Sequence, residues 1–228
     1  FYNALGFPVT DVAEVAIEAP KFPKGVSVYN AEGKQVASQL LSYRNGTVYL
    51  LIEATVPATG YAVYDIRLSG NQKLADSFVS ETTVENSVDK IAFFKDGKSI
   101  RLALFTENES YNWPAWEILK KTIDRAPISI TEDVKMNLCE NGALRKTLCI
   151  EKRHGKSLFR QYIRLYEGEL ADRIDFYNEI DWQSTNALLK AEFPLNVDNE
   201  KATYDLGIGS VQRGNNILTA YEVYAQYW

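Results

Sequence analysis

The chain reads as an all-β protein built from antiparallel strands, and three observations predict it. Fourteen tyrosines and ten phenylalanines, beside many Val, Ile and Thr residues, suit a pleated, half-buried surface better than a helix. Turn signals recur at strand-length intervals. Between them the segments alternate with period two, most clearly in "RIDFYNEIDW", Arg173 to Trp182.

Taken in order, "GVSVYN", "TVYLLIEATV" and "YAVYDIRL" are separated by "NAEGKQ", "RNGT" and "PATG". These short segments and hairpin turns make residues 1–70 the right size for a small immunoglobulin-like sandwich. The polar, weakly patterned stretch "SGNQKLADSFVSETTVENS" marks a linker over 71–86. Residues 87–228 then form a larger antiparallel β-sandwich domain, with "KIAFFK", "SIRLALF", "LRKTLCIEKR" and "SLFRQYIRLY" as strands and "KDGK", "ENGA", "YEGE" and "VDNE" as turns. "LGIGS" at Leu206–Ser210 reads as a strand with a bulge. "WPAWEILKKTIDRA" is ambiguous: Pro114 suits a first helical turn and Trp116, Leu119 and Ile123 fall at i, i+3 and i+7, yet "EILKKTI" equally enters a strand.

In "RIDFYNEIDW" the alternation puts Ile174, Phe176, Asn178, Ile180 and Trp182 on one face and Arg173, Asp175, Tyr177, Glu179 and Asp181 on the other. Glu179 and Asp181, two apart on a strand, would lie roughly 6.5–7 Å from one another, the separation of an inverting glycosidase pair. A general acid needs a raised pKa, however, and their face is shared with Arg173, Asp175 and Tyr177, which predicts solvent or cross-strand pairing instead. Asn178 interrupts the apolar face and is expected to find a hydrogen-bond partner in the core.

The 25 basic residues against 30 acidic ones give a net charge of −5, and no basic run exceeds "KRHGK" at Lys152–Lys156, which argues against a nucleic-acid partner. No window approaches the ~18 apolar residues of a membrane helix, and "FYNALGFPVTD" lacks the charged and apolar regions of a signal peptide. The compartment stays open. The single histidine, His154, cannot assemble a catalytic zinc site and reads as a solvated loop residue. Cys139 and Cys149 flank "NGALRK"; a hairpin disulfide fits the spacing, and two buried free thiols are the blander reading. For a sugar, the best contacts are in "YNWPAWEI": Trp113 and Trp116 offer flat apolar faces, with Tyr111 beside them and Asn112 and Glu117 as hydroxyl partners. The same tryptophans would serve equally as core.

Several of these stretches resemble the C-terminal β region of glycoside hydrolase family 38, the α-mannosidases. "FYNALGFPVTDVAEVAI", "VYNAEGKQVASQL", "YLLIEATVPATGYAVYDI" and "NWPAWEI" are similar to family segments. So, over some forty positions, is "RIDFYNEIDWQSTNALLKAEFPLNVDNEKATYDLGIGSVQR". The chain departs from the family at "GNNILTAYEVYAQYW", where the family's "NTSWD" core is missing, and around "SVDKIAFFKDGKSI". The resemblance implies a larger sandwich of the galactose mutarotase-like kind, truncated at its C-terminus. It also implies a retaining parent enzyme with a zinc ion and an aspartate nucleophile in an upstream catalytic barrel. No position here matches those residues, so no catalytic or metal role, and no cofactor, is assigned to this chain. The partners implied are the catalytic barrel of the same parent chain, an α-mannoside or other carbohydrate, and a further copy of the protein as a homo-oligomer; nucleic acid and membrane are not.

Overall fold

The computed structural model describes residues 1–68, 83–88, 90–92, 101–106, 113, 117–215 and 221. The expected linker over 71–86 lies outside the described residues except for 83–86, as do the "KDGK" turn and Trp116. The protein is all-β, with strands joined in antiparallel pairs. It divides into two compact units: Phe1–Phe93, Val134–Glu151 and Phe159–Glu179 make the first; Phe94–Asp133, Lys152–Leu158 and Ile180–Trp228 make the second.

The first unit opens with β1 (Tyr2–Asn3) and β2 (Val9–Glu18), followed by β3 (Ser27–Tyr29), β4 (Gln35–Val36), β5 (Ser38–Arg44), β6 (Thr47–Val56), β7 (Gly60–Tyr61) and β8 (Asp65–Arg67). Two three-stranded sheets, in the orders β2-β6-β5 and β4-β3-β8, close over one cluster that includes Val26, Val28, Leu40, Val48, Leu50, Ile52 and Ala54. This is a β-sandwich, as expected. The "RNGT" turn joins β5 to β6 with Asn45 at φ 51° and Gly46 at φ 79°, the two left-handed residues that a tight hairpin matching the strand twist demands. Strand β6 alternates Val48, Leu50, Ile52 and Ala54 into the core, but Leu51 is fully buried too. Its cross-strand neighbour Gln39 bonds the backbone at residues 144 and 145, so this sheet is covered on both faces. That double cover explains the continuous apolar run in "VYLLIEATV". A small hairpin of β9 (Thr83–Glu85) and β10 (Lys90–Ala92) follows.

In the second unit β11 (Arg101–Thr106) is the middle strand of a three-stranded sheet, with Leu102, Ala103, Leu104 and Phe105 all buried. The ambiguous segment forms one helical turn, α1 (Lys120–Ile123), with Thr122 buried beneath it. Next comes β12 (Ile128–Ser129), which pairs with β11. Strands β13 (Glu132–Asn141), β14 (Arg145–His154), β15 (Ser157–Tyr166) and β16 (Ile174–Asp181) form a four-stranded sheet in chain order. Within the first unit their apolar residues Leu138, Leu148, Ile150, Ile163 and Leu165 make a second core, with Phe176 packed against it. Strand β17 (Ala187–Glu192) returns to pair with β11, and β18 (Lys201–Asp205) and β19 (Ser210–Gly214) form a hairpin.

Three expectations need correction. "LGIGS" is the turn of the β18–β19 hairpin rather than a bulged strand, because Gly207 and Gly209 both take positive φ, 81° and 85°, and Ile208 between them is wholly exposed. The blander reading of Cys139 and Cys149 as free thiols also fails. They sit on the adjacent strands β13 and β14 with Cα atoms 5.7 Å apart and are joined as a disulfide, a separation that suits a cross-strand bridge. Finally, the apolar face of β16 is only partly covered: Phe176 packs inward, whereas Ile174, Ile180 and Trp182 are exposed.

Lys152 on β14 is 2% exposed, and burial lowers its ammonium pKa to about 8 from 10.5. In the unfolded chain the proton stays on until higher pH. Raising the pH through that window therefore deprotonates the folded state first, and stability should rise by at most about 1.4 kcal/mol per pH unit. Urea unfolding of wild type and Lys152→Met across the window checks this: the variant should lack the rise, and matching slopes would refute it.

Candidate functional site

Of the sugar-contact residues expected from sequence, Trp113 and Glu117 are described; Tyr111, Asn112 and Trp116 lie outside the described residues. The Trp113 carbonyl accepts the Glu117 N–H at 2.9 Å. Trp113 is 50% exposed, so it is not a core residue, and Glu117 is half-buried.

The acids of β16 are held in ways that do not suit a glycosidase pair. Asp175 accepts hydrogen bonds from Arg173 at 2.8 and 3.1 Å and from the Tyr166 hydroxyl at 2.7 Å. Burial pushes its carboxyl up, but Arg173 and Tyr166 outweigh burial and hold it below the ordinary carboxylate value. A general acid needs the opposite shift. Tyr166 in turn, through burial and its bond to Asp175, is raised to about 12. Glu179 is exposed and takes a 3.3 Å hydrogen bond from Tyr162, and Asp181 is exposed and bonds the Gln183 amide at 2.7 Å. Both face water or strand neighbours, as their flanking residues predict. Asn178 meets its expectation only in part: its amide nitrogen donates to the Phe176 carbonyl at 3.4 Å, while its oxygen is buried without a hydrogen bond.

Among the described residues no three His, Cys, Asp or Glu side chains gather closely enough to hold an ion, and His154 faces Glu132 at 3.9 Å. The ligand set of the zinc that the family resemblance implies does not fit these residues.

The buried Arg145 belongs to a structural knot in the first unit. Arg145 grips Glu140 through Nε and Nη2 at 3.0–3.1 Å. Thr147 donates to the same carboxylate at 2.9 Å, and the Gln39 amide donates to it at 2.7 Å. Burial disfavours the Arg145 charge, yet its bonds to Glu140 win and its pKa is raised. A shallow depression of about 370 Å³ lies over the disulfide, but its charges are spent on one another, Glu151 pairing with Arg160 at 3.2 Å and Lys135 at 3.8 Å.

What the sequence did not reveal is a larger cleft of about 790 Å³ in the first unit. Asn30, Lys34, Glu53, Tyr61, Tyr64 and Glu169 are among its walls. The first five come from the small sandwich; Glu169 comes from the 3-10 turn Gly168–Leu170 after β15. The Tyr64 hydroxyl donates to the Thr55 carbonyl at 3.0 Å and accepts the Thr55 N–H at 2.8 Å, which fixes its ring as a wall. No spacing rule links residue 169 to residue 53, so no local signal could have assembled this site.

Comparison with known proteins follows the same direction as the fold. The family described as "Glycosyl hydrolases family 38 C-terminal domain" matches residues 64–227. "Alpha-mannosidase 2C1" of Homo sapiens is 22% identical over 237 residues, covering 90% of this chain and 23% of its own length. "Alpha-mannosidase G" of Dictyostelium discoideum is 22% identical, covering 97% of this chain and 22% of its own. The chain thus spans less than a quarter of the length of these curated relatives. An alpha-mannosidase from Enterococcus faecalis V583 shares the fold, with a TM-score of 0.65 at 14% identity over 95% of this chain and 33% of that one.

Proposed function

The chain belongs to the C-terminal domain family of the family 38 glycosyl hydrolases, matched over 64–227, and on that premise we propose that it is the noncatalytic β region of a retaining, zinc-dependent α-mannosidase. In this reading the parent enzyme hydrolyses α-mannosides, and its zinc and carboxylates sit in a catalytic barrel outside these residues. This region supports that barrel and completes the wall of the substrate cleft. The observation that carries the reading is the coverage: nearly all of this chain aligns to under a quarter of each α-mannosidase relative. The surface supports it. Tyr2, Leu5 and Phe7 in the first unit are 74%, 49% and 60% exposed, and Leu195, Val197 and Ile208 in the second are 73%, 73% and 96% exposed, an apolar display that fits surfaces awaiting a partner. Trp113, Trp116 and Glu117 are the sugar contacts of the second reading, a carbohydrate-binding module, favoured by the half-exposed Trp113.

The test is an assay of the purified chain with an aryl α-mannoside, with and without added zinc. No turnover is expected, and zinc binding no tighter than that of an unrelated acidic protein. Zinc-dependent hydrolysis by the chain alone would sink the reading.

A further inference from the structure

We propose that the 790 Å³ cleft of the first unit is a binding site for a neutral oligosaccharide, with Tyr61 as its stacking platform and Glu53 as its central hydrogen-bond acceptor. The volume is within the range of ligand clefts, and the lining has the right chemistry in the right state. Tyr61 is 73% exposed and offers a flat apolar ring at the cleft. The Tyr64 ring is pinned by its two bonds to Thr55, so one aromatic wall is already in place before anything binds, which lowers the ordering cost of association.

The polar groups between them are unspent. The Glu53 side chain is half-buried and those of Glu32, Glu169 and Lys34 are exposed, and among the described residues none of the three carboxylates nor the Lys34 ammonium has a hydrogen-bond or ionic partner. Asn30 uses its side-chain oxygen on the Lys34 N–H at 2.8 Å, and its amide nitrogen has no partner among the described residues. The seating of Glu53 depends on Gly168. Its Oε2 lies 2.6 Å from the point where a Cβ would stand on Gly168, a residue whose φ is +73°. A side chain at 168 would push the carboxylate out of this position. A half-buried carboxylate such as Glu53, without a cationic partner among the described residues, is costly unless something donates to it, and a pair of sugar hydroxyls is a suitable donor.

The charge selects the class of ligand. Three carboxylates against one ammonium leave the lining net negative, which opposes phosphorylated, sulfated or uronate ligands. The carboxylates are too dispersed to chelate a cation, and Lys34 among them opposes a basic peptide. A neutral polyol meets none of these objections. Its hydroxyls reach the carboxylates and the Asn30 amide, and its C–H face covers Tyr61. The choice of a mannose-built probe rests on the reading proposed above; the chemistry of the cleft does not.

The experiment is calorimetric titration of the 228-residue chain with α-mannotriose, trigalacturonate and trilysine, repeated on Tyr61→Ala, Glu53→Gln and Trp113→Ala, with circular dichroism to show that each variant is folded. Wild type and Trp113→Ala should bind α-mannotriose. Tyr61→Ala and Glu53→Gln should each bind it at least about tenfold more weakly, and trigalacturonate should not bind. The proposal is overturned if wild type does not bind α-mannotriose. It also falls if only Trp113→Ala abolishes binding, which moves the sugar to the second unit, or if trilysine binds in its place, which makes the occupant a basic peptide. None of these outcomes bears on the noncatalytic reading, which the mannoside assay decides separately.

Discussion

Replacing Arg145 with methionine should lower the free energy of unfolding by about 4 kcal/mol. The side chain is 6% exposed and its partner Glu140 13%, so the substitution strands a buried carboxylate with the Gln39 amide and the Thr147 hydroxyl as its remaining donors. Breaking one side of such a pair costs far more than the pair contributes, because the abandoned charge keeps its desolvation penalty. Glu14, 3.7 Å from the guanidinium and half-exposed, adds little. Urea unfolding with linear extrapolation measures the loss. The double variant Arg145→Met with Glu140→Gln should recover about 2 kcal/mol of it. A loss below about 1 kcal/mol in the single variant would mean the knot is not closed in solution.

Gly142→Ala should cost about 3 kcal/mol, although nothing about the backbone at 142 demands glycine, since its φ is outside the left-handed region. The reason is space. A methyl group there would overlap the Gln39 amide carbon, oxygen and nitrogen. Gln39 cannot give way cheaply. Its oxygen accepts the Leu144 and Arg145 N–H groups at 2.8 Å each, and its nitrogen donates to Glu140 at 2.7 Å and to the Arg145 carbonyl at 3.2 Å. Moving it leaves buried backbone donors without acceptors. If this account is right, Gly142→Ala made in a Gln39→Ala background should cost about 1 kcal/mol or less. Equal costs in both backgrounds would show that the methyl offends something other than Gln39.

The two predictions concern contacts that no pattern in the sequence announces, and the contrast with what was legible is instructive. "RNGT" is readable as a hairpin because the requirement is local: two adjacent residues must take positive φ, and Asn-Gly does so at low cost. Glu179 and Asp181 of "RIDFYNEIDW" are readable as water-facing for the same kind of reason, since a strand's period of two sorts neighbours onto faces whatever lies beyond. "LGIGS" misled because two glycines two apart serve a bulge and a turn alike, and only the pairing of β18 with β19 decides between them. The exposure of Ile180 and Trp182 was likewise hidden, because alternation says which side chains share a face and not whether anything covers it.

Sequence alone determined the all-β class, the Asn-Gly hairpin of "RNGT" and the family, since each rests on composition, short-range chemistry or an ordered run of similar segments. Tertiary structure decided the rest. Gln39 meets Arg145 across 106 positions, and the turn at Gly168 brings Glu169 to the cleft walled by Glu53 and Tyr61. Such meetings depend on how separately formed hairpins pack, and the physics of packing acts on distance in space rather than along the chain.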